Sequence, residues 1–225
     1  MGKLNKIIKY LILADLAFYS GWGLVSPIFP LFIERSISTE GIIGGSIVIA
    51  STAAGIFWIT RALFQYPIGY FLDNQKGDKD DYFFLVLGLC LASVIPMLYT
   101  LAQTAWHIYT IQFFYGVSMA MNIAGWRALF TRSIEKGKEA SQWSLDDALL
   151  SIGQGVSGIL SGICVFLFGF VITFLMASLL GLVSVFLVLN LRRDIKGVFD
   201  ENIALKIKNT LNGREQTKKR AKQRL

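Results

Sequence analysis

The stretch F-Q-Y-P-I-G-Y-F-L-D-N-Q-K-G-D-K-D-D, residues 64–81, decides how the rest of the chain is read. It begins inside an apolar run, passes Pro67, and ends in a polar segment holding four aspartates and two lysines. An apolar helix entering a glycine-hinged, charged elbow is how a membrane-spanning chain turns round at the water surface. The elbow therefore separates buried helix from aqueous loop and supplies a reference for orientation.

Composition on either side agrees. Of 225 residues, 54% are hydrophobic, and the mean hydropathy of +0.54 is too high for an ordinary soluble domain. The apolar residues gather in six runs: Ile7–Ile33, Gly41–Leu72, Tyr82–Ala102, Trp106–Phe130, Ser144–Phe168 and Phe170–Leu191. Each is long enough to cross a hydrocarbon core, for which roughly 20 residues suffice. Pro27, Pro30, Pro67 and Pro96 all lie inside these runs, which is ordinary in a membrane, where neighbouring helices re-satisfy freed carbonyls. The expected fold is an all-α membrane protein of six transmembrane helices. The second run spans about 48 Å at helical rise, so it must tilt, kink at Pro67 or project beyond the lipid. The last two runs meet at Phe168-Gly169-Phe170, which permits only a very tight hairpin.

Charge is equally uneven. The segment from Arg192 onward holds 11 of the 22 Lys+Arg and 4 of the 15 Asp+Glu, so the whole excess of +7 lies there. The basic pI describes a tail and does not indicate a nucleic-acid-binding face. Two parts follow: a six-helix transmembrane domain, 1–191, and a basic tail, 192–225. The tail reads either as a solvated, partly disordered end or as a short helix on the inner leaflet, its bases attracted to anionic lipid. The start, M-G-K-L-N-K-I-I-K-Y, has the basic flank of a signal peptide but no small-residue cleavage site after it, so it reads as an uncleaved first span. Lys6 speaks against myristoylation.

With the N-terminus inside, the inner side receives Lys3, Lys6, Lys9, Lys76, Lys79, Arg132, Lys136, Lys138 and the tail, and the outer side receives Arg35 alone. That asymmetry places both termini in the cytoplasm, with Trp106 and His107 at the outer interface. Cys90 and Cys164 sit in apolar runs without metal-ligand spacing and read as small hydrophobes. No metal and no cofactor are expected.

Ionisable residues inside the runs are few: Asp15, Arg61, Arg127, and the pair Asp146–Asp147 close to an end. A charge at the bilayer centre costs roughly 2.5–3.5 kcal/mol even on insertion scales, so such residues face a bundle interior or a wet cavity. Asp15 lies about 9 Å along the first helix from Lys9. It reads as a site for proton coupling or a cationic substrate, or as a structural ion pair with Arg61 or Arg127. Arg127 is close enough to Arg132 to snorkel to the surface; Arg61 is harder to explain that way. Asn122, Gln154 and Gln65 either line a cavity or hydrogen-bond between helices.

The fifth run contains S-I-G-Q-G-V-S-G-I-L-S-G, residues 151–162. Gly153, Gly155 and Gly158 formally match G-x-G-x-x-G, but no strand precedes them, so a dinucleotide site is not implied. The G-V-S-G within it resembles the motif of rhomboid-type intramembrane serine proteases. Those need a later histidine to activate the serine, whereas His107 comes earlier than Ser157. The packing reading remains: Ser151/Gly155 and Gly158/Gly162 are small-xxx-small pairs that admit a close neighbour helix.

Gln65-Tyr-Pro-Ile-Gly69-Tyr-Phe-Leu-Asp73 resembles the end of the second helix of the major facilitator superfamily and its signature loop, G-x-x-x-D-[RK]-x-G-x-[RK]-[RK]. Gly69 and Asp73 match at correct spacing. Gly77 and Lys79 match with one residue inserted, Asn74 replaces a base, and Asp80–Asp81 stand where bases are common. Pro27 and Pro30 resemble the family's P-x-x-P exit from helix 1. Gln112 to Gly116 is similar to the fourth-helix R-x-x-x-G with glutamine for arginine, and the glycine-rich fifth run resembles the family's fifth helix without its Gly-Pro pair.

The resemblance implies the N-terminal half of that fold, a 3+3 bundle, followed by a segment like the linker between halves. It implies transport of a small-molecule solute by alternating access, not catalysis. The charged participants would be Asp15, Arg61 and Arg127, with Asn122 and Gln154 as polar candidates in a cavity lined by spans one, two, four and five. Gly69, Asp73, Gly77 and Lys79 would form the cytoplasmic gate, and Gly153, Gly155, Gly158 and Gly162 the helix contact. The family's motif aspartate touches the other half, so a homodimer or a second half-transporter is expected, or else a truncated product. The setting would be the lipid bilayer of the plasma membrane. A different class of function is a non-transporting membrane partner that assembles through the glycine-rich face and tail.

Overall fold

The computed structural model describes residues 5–37, 39, 41–74 and 78–192, and all its regular elements are helices. They are α1 (Lys6–Val25), α2 (Phe29–Ser36), α3 (Gly45–Asn74), α4 (Asp78–Tyr99), α5 (Ala105–Ser133) and α6 (Glu139–Leu189). Gly77 and the tail from 193 lie outside the described residues.

Local chemistry explains the ends. Asn5 caps α1 by accepting from the Ile7 N–H at 3.1 Å, satisfying one of the orphan donors of the first turn. α1 stops before Pro27, and α2 begins with Pro30 inside its first turn. The single first span expected over Ile7–Ile33 is therefore two helices. Pro27 cannot donate the backbone bond that would continue α1, whereas a proline near a helix start loses nothing. Gly41, Gly44 and Gly45 have positive φ, so α3 starts at Gly45 and not at Gly41. Pro67 lies within α3 without ending it.

α6 is 51 residues long but is broken at Gly169, with φ 78° and ψ 174°. A side chain there would be strained. Thr173 Oγ1 donates to the Gly169 carbonyl at 2.9 Å, fastening the turn. The two expected runs thus appear as limbs of one hairpin joined by a single residue.

Among the described residues, four helical stretches have the length and hydropathy to cross a membrane: Lys6–Val25, Gly45–Asn74, Lys79–Tyr99 and Glu139–Leu189. α5 is equally long but carries Gln112, Asn122, Arg127 and Arg132, and it lies packed between α3 and α4. α1 packs chiefly on α6, α4 also on α6, and α2 on α3. The elbow end is tied by Asn5 Nδ2 donating to the Ser133 carbonyl at 3.3 Å and by Trp126, Phe130 and Trp143 in ring contact. At the other end Phe29, Phe32, Tyr99, Phe170 and Phe174 form a second aromatic cluster. Tyr82 reaches the Leu189 carbonyl, so the second limb of α6 returns to the elbow end. α1, α3, α4, α5 and the two α6 limbs make six passes along the bundle.

Helix spacing is set by glycines at crossings. A Cβ on Gly88 would meet the Ser118 carbonyl at 2.6 Å and the Asn122 backbone, so α4 and α5 touch backbone to backbone there. Between α1 and α6, a Cβ on Gly23 would meet the Gln154 carbonyl at 2.7 Å. Gly155 and Gly162, in contrast, have nothing within 4 Å. Gly88→Ala is expected to cost about 1–3 kcal/mol by overpacking, while Gly155→Ala should leave stability unchanged or slightly raised. Thermal unfolding of the purified protein in detergent reads both; equal melting temperatures for the two variants would contradict these crossings.

Candidate functional site

One face of α3 brings Ala54, Phe57, Trp58 and Arg61 towards α1 and α5 at helical spacing, with Gln65 one turn further. Ala54, Phe57, Trp58 and Arg61, together with Tyr19 and Trp22 of α1, Gln112, Tyr115 and Met119 of α5, and Gln154 of α6, line a cavity of about 280 Å³. Gly116 sits directly behind this wall, against Thr60 and the Phe57 carbonyl, so α3 and α5 approach closely enough for their aromatic rings to meet.

The wall is aromatic. Phe57 stacks on Tyr115 with ring centroids 4.7 Å apart, and Trp22 lies 5.2 Å from Tyr115. Arg61 places its guanidinium 4.9 Å from the Trp58 ring and donates from Nε to Gln65 Oε1 at 3.1 Å. A cation over a tryptophan face gains about 0.5–2 kcal/mol, depending on desolvation. Gln112 is buried, and its Oε1 has no hydrogen-bond partner.

Asp15 is buried on α1, and its acidic neighbour is Asp146 of α6. No ion pair joins Asp15 to Arg61 or Arg127 among the described residues. Tyr19, one turn beyond Asp15, feels the charges of Asp15, Arg61, Asp146 and Arg127 together. Tyr19 and Arg61 line the same cavity, whereas Arg127 lies in a separate groove. In the sequence Asp146 reads only as one of a pair close to a run's end. It is buried with Oδ1 unpartnered, on the face that also carries Gln142, Gly153 and Ser157. That buried periodicity, read against α1, is the signal that would have found it.

Other expected positions divide. Gln154 lines the cavity, while Asn122 is buried beside Gly88 at the α4 contact. Arg127 is exposed in a second, open groove of about 840 Å³ between α3 and α5, shared with Gly69, Asp73 and Arg132. Lys79 lies at the start of α4 outside that lining, and Gly77 is not among the described residues. Gly153 packs on Leu16 and Ser20 of α1, and Gly158 is in ordinary contact with Pro27. His107 Nδ1 accepts from the Gln103 N–H, and Ser157 packs on Gly23; no hydrogen bond joins this histidine and serine.

Comparison with known proteins agrees with this architecture. A family model described as Major Facilitator Superfamily matches residues 11–214. An uncharacterised MFS-type transporter of Methanocaldococcus jannaschii, MJ1560, is 24% identical over 205 residues, covering 90% of this chain and 49% of the relative. The chain thus spans about half the length of the curated relative it matches. The crystal structure of the POT family transporter PepTSo superposes with a TM-score of 0.65 at 14% identity, covering 85% of this chain and 38% of that one. At that identity the likeness is one of fold.

The groove has a second tie to the scaffold. Arg132, on its lining, forms an ion pair with Asp81 of α4, whose side chain is fully buried. Residues joined this way are energetically coupled by about 0.5–3 kcal/mol. A double-mutant cycle of Asp81→Asn and Arg132→Gln, read by unfolding in detergent, should show coupling in that range. Strict additivity would mean that the pair does not hold α4 to α5.

Proposed function

We propose that this chain, which belongs to the major facilitator superfamily, moves a small solute across the membrane by alternating access. The observation that carries the reading is the aromatic cavity on α1, α3, α5 and the first limb of α6, with Arg61 and Gln154 in its wall. Apolar walls with a few placed polar groups are what small-molecule sites are made of. All six passes would cross the bilayer as a 3+3 bundle, with both termini cytoplasmic. The inner position of the lysines and arginines supports that orientation.

A second six-helix unit faces this one in the proposal, as a second copy or a second half-transporter. Two observations support it. Gly155 and Gly162 of α6 have open space beside them. α3 and α6 bury only 22% of their most apolar windows, against 56% for α1. Gly69 and Asp73 would gate the cytoplasmic end from the groove they line. Asp15, buried in the bundle, would carry the coupling proton, and Asp146 stands as its acidic neighbour. The plasma membrane is the expected setting.

Reconstitution tests the reading. Proteoliposomes of the purified chain, screened against small solutes under a proton gradient, should show uptake of at least one. Asp15→Asn should reduce proton-driven uptake to background while leaving membrane insertion intact. Uptake unchanged by that substitution at every pH would remove Asp15 from the mechanism. Crosslinking in native membranes should capture a partner unit; a strict monomer active in uptake would overturn the paired arrangement.

A further inference from the structure

The cavity carries a chemical asymmetry that family membership does not account for. Among its lining residues, Arg61 alone bears a formal charge. Asp15 and Asp146 are buried outside the lining. Arg61 is engaged by neutral groups: its Nε by Gln65 Oε1, its face by the Trp58 ring. Among the described residues it forms no ion pair, and its two Nη groups make no hydrogen bond. A guanidinium presents those groups as a planar fork matched to a carboxylate or similar anion. Within an apolar bundle, a cation that lacks a counter-charge is costly, and an incoming anion would relieve that cost. Gln112 Oε1, buried and unpartnered in the same wall, leaves a second polar end for the ligand.

We propose that the cavity takes a small organic anion with a flat apolar body. The anionic group would sit on the Nη fork of Arg61, and the body against Trp22, Phe57 and Tyr115. This inference rests on reading the cavity as the solute site, and it adds the sign of the solute's charge. Aromatic walls accept flat bodies of any charge, so selection falls to Arg61. Binding requires no translocation and is measurable on the purified chain.

Three probes sharing one ring separate the possibilities: benzoate, benzyl alcohol and benzylammonium, titrated into the detergent-purified protein by calorimetry. Benzoate is expected to bind at least about tenfold more tightly than the other two, which corresponds to about 1.4 kcal/mol. Arg61→Gln should level the three affinities, and Arg61→Lys should restore part of the preference for benzoate, since it returns the charge without the fork. Helix content and melting temperature report whether the variants are folded. Should Arg61→Gln not fold, Arg61→Met, which removes the charge but keeps a long side chain, serves in its place and should likewise level the three affinities. Equal binding of all three probes by the unsubstituted chain, or preference for benzylammonium, would overturn the proposal. So would a benzoate preference that survives Arg61→Gln. If Arg61 is neutralised by a carboxylate of a second unit, benzoate preference is absent and the proposal fails in the same way. Uptake of a neutral or cationic solute alone would sink the anion assignment and leave transport standing; benzoate preference without any uptake would do the reverse.

Discussion

Hydrocarbon offers no hydrogen bonds, so every polar group that enters it must find its partner inside the bundle. Much of this structure is organised by that constraint. Serines and threonines within the helices turn back onto their own backbone: Ser93 donates to the Leu89 carbonyl at 2.7 Å and Ser161 to the Gly158 carbonyl at 2.7 Å. At Pro96, where the ladder of α4 is interrupted, the Met97 N–H donates across to Ser178 Oγ at 3.1 Å. Asp81 meets Arg132. Against this background the unsatisfied groups stand out, and two of them, Gln112 Oε1 and Asp146 Oδ1, lie at or near the cavity. Tyr99, Trp126 and Ser184 also keep an unpartnered buried atom, and of these groups only Gln112 lines the cavity.

Glycine has two roles in this bundle. Gly23, Gly88, Gly116 and Gly153 stand where helices of this chain cross, and side chains there would collide with backbone or neighbouring atoms. They hold α3 against α5 and α1 against α6, which fixes the distance between the aromatic walls of the cavity. Gly55, Gly69, Gly155 and Gly162 meet nothing. The first group makes the bundle rigid. The second lies on α3 and α6, among large exposed apolar side chains such as Tyr66, Tyr70, Val156 and Ile159.

The elbow after Leu72 was legible because apolarity gives way to charge within two residues, a change that hydropathy detects. The break between α1 and α2 was not, since Ser26-Pro27-Ile28 lies inside a continuous apolar run and only the backbone records it. Arg61 was visible as a charge in a span. Its aromatic companions were not, because Trp22, Phe57 and Tyr115 are unremarkable residues for a membrane helix until the phase of three helices is known. Asp146 was hidden for a related reason. A charge near the end of a run normally reaches water, and it takes the packing of α1 on α6 to bury this one. The same limit applies to the glycines: spacing marks Gly153, Gly155, Gly158 and Gly162 alike, and only the neighbour helix distinguishes the first from the others.

The hairpin at Gly169 has a consequence for how the protein is made. Its flanks, Phe166, Leu167 and Phe168, are apolar and exposed, and one residue joins the two limbs of α6. No hydrophilic loop exists there for the insertion machinery to push across and leave on the far side as a finished step. In the proposed arrangement the two limbs would enter the lipid together, as one hairpin. A hydrophilic tag at this turn would interfere with biogenesis before it touched activity.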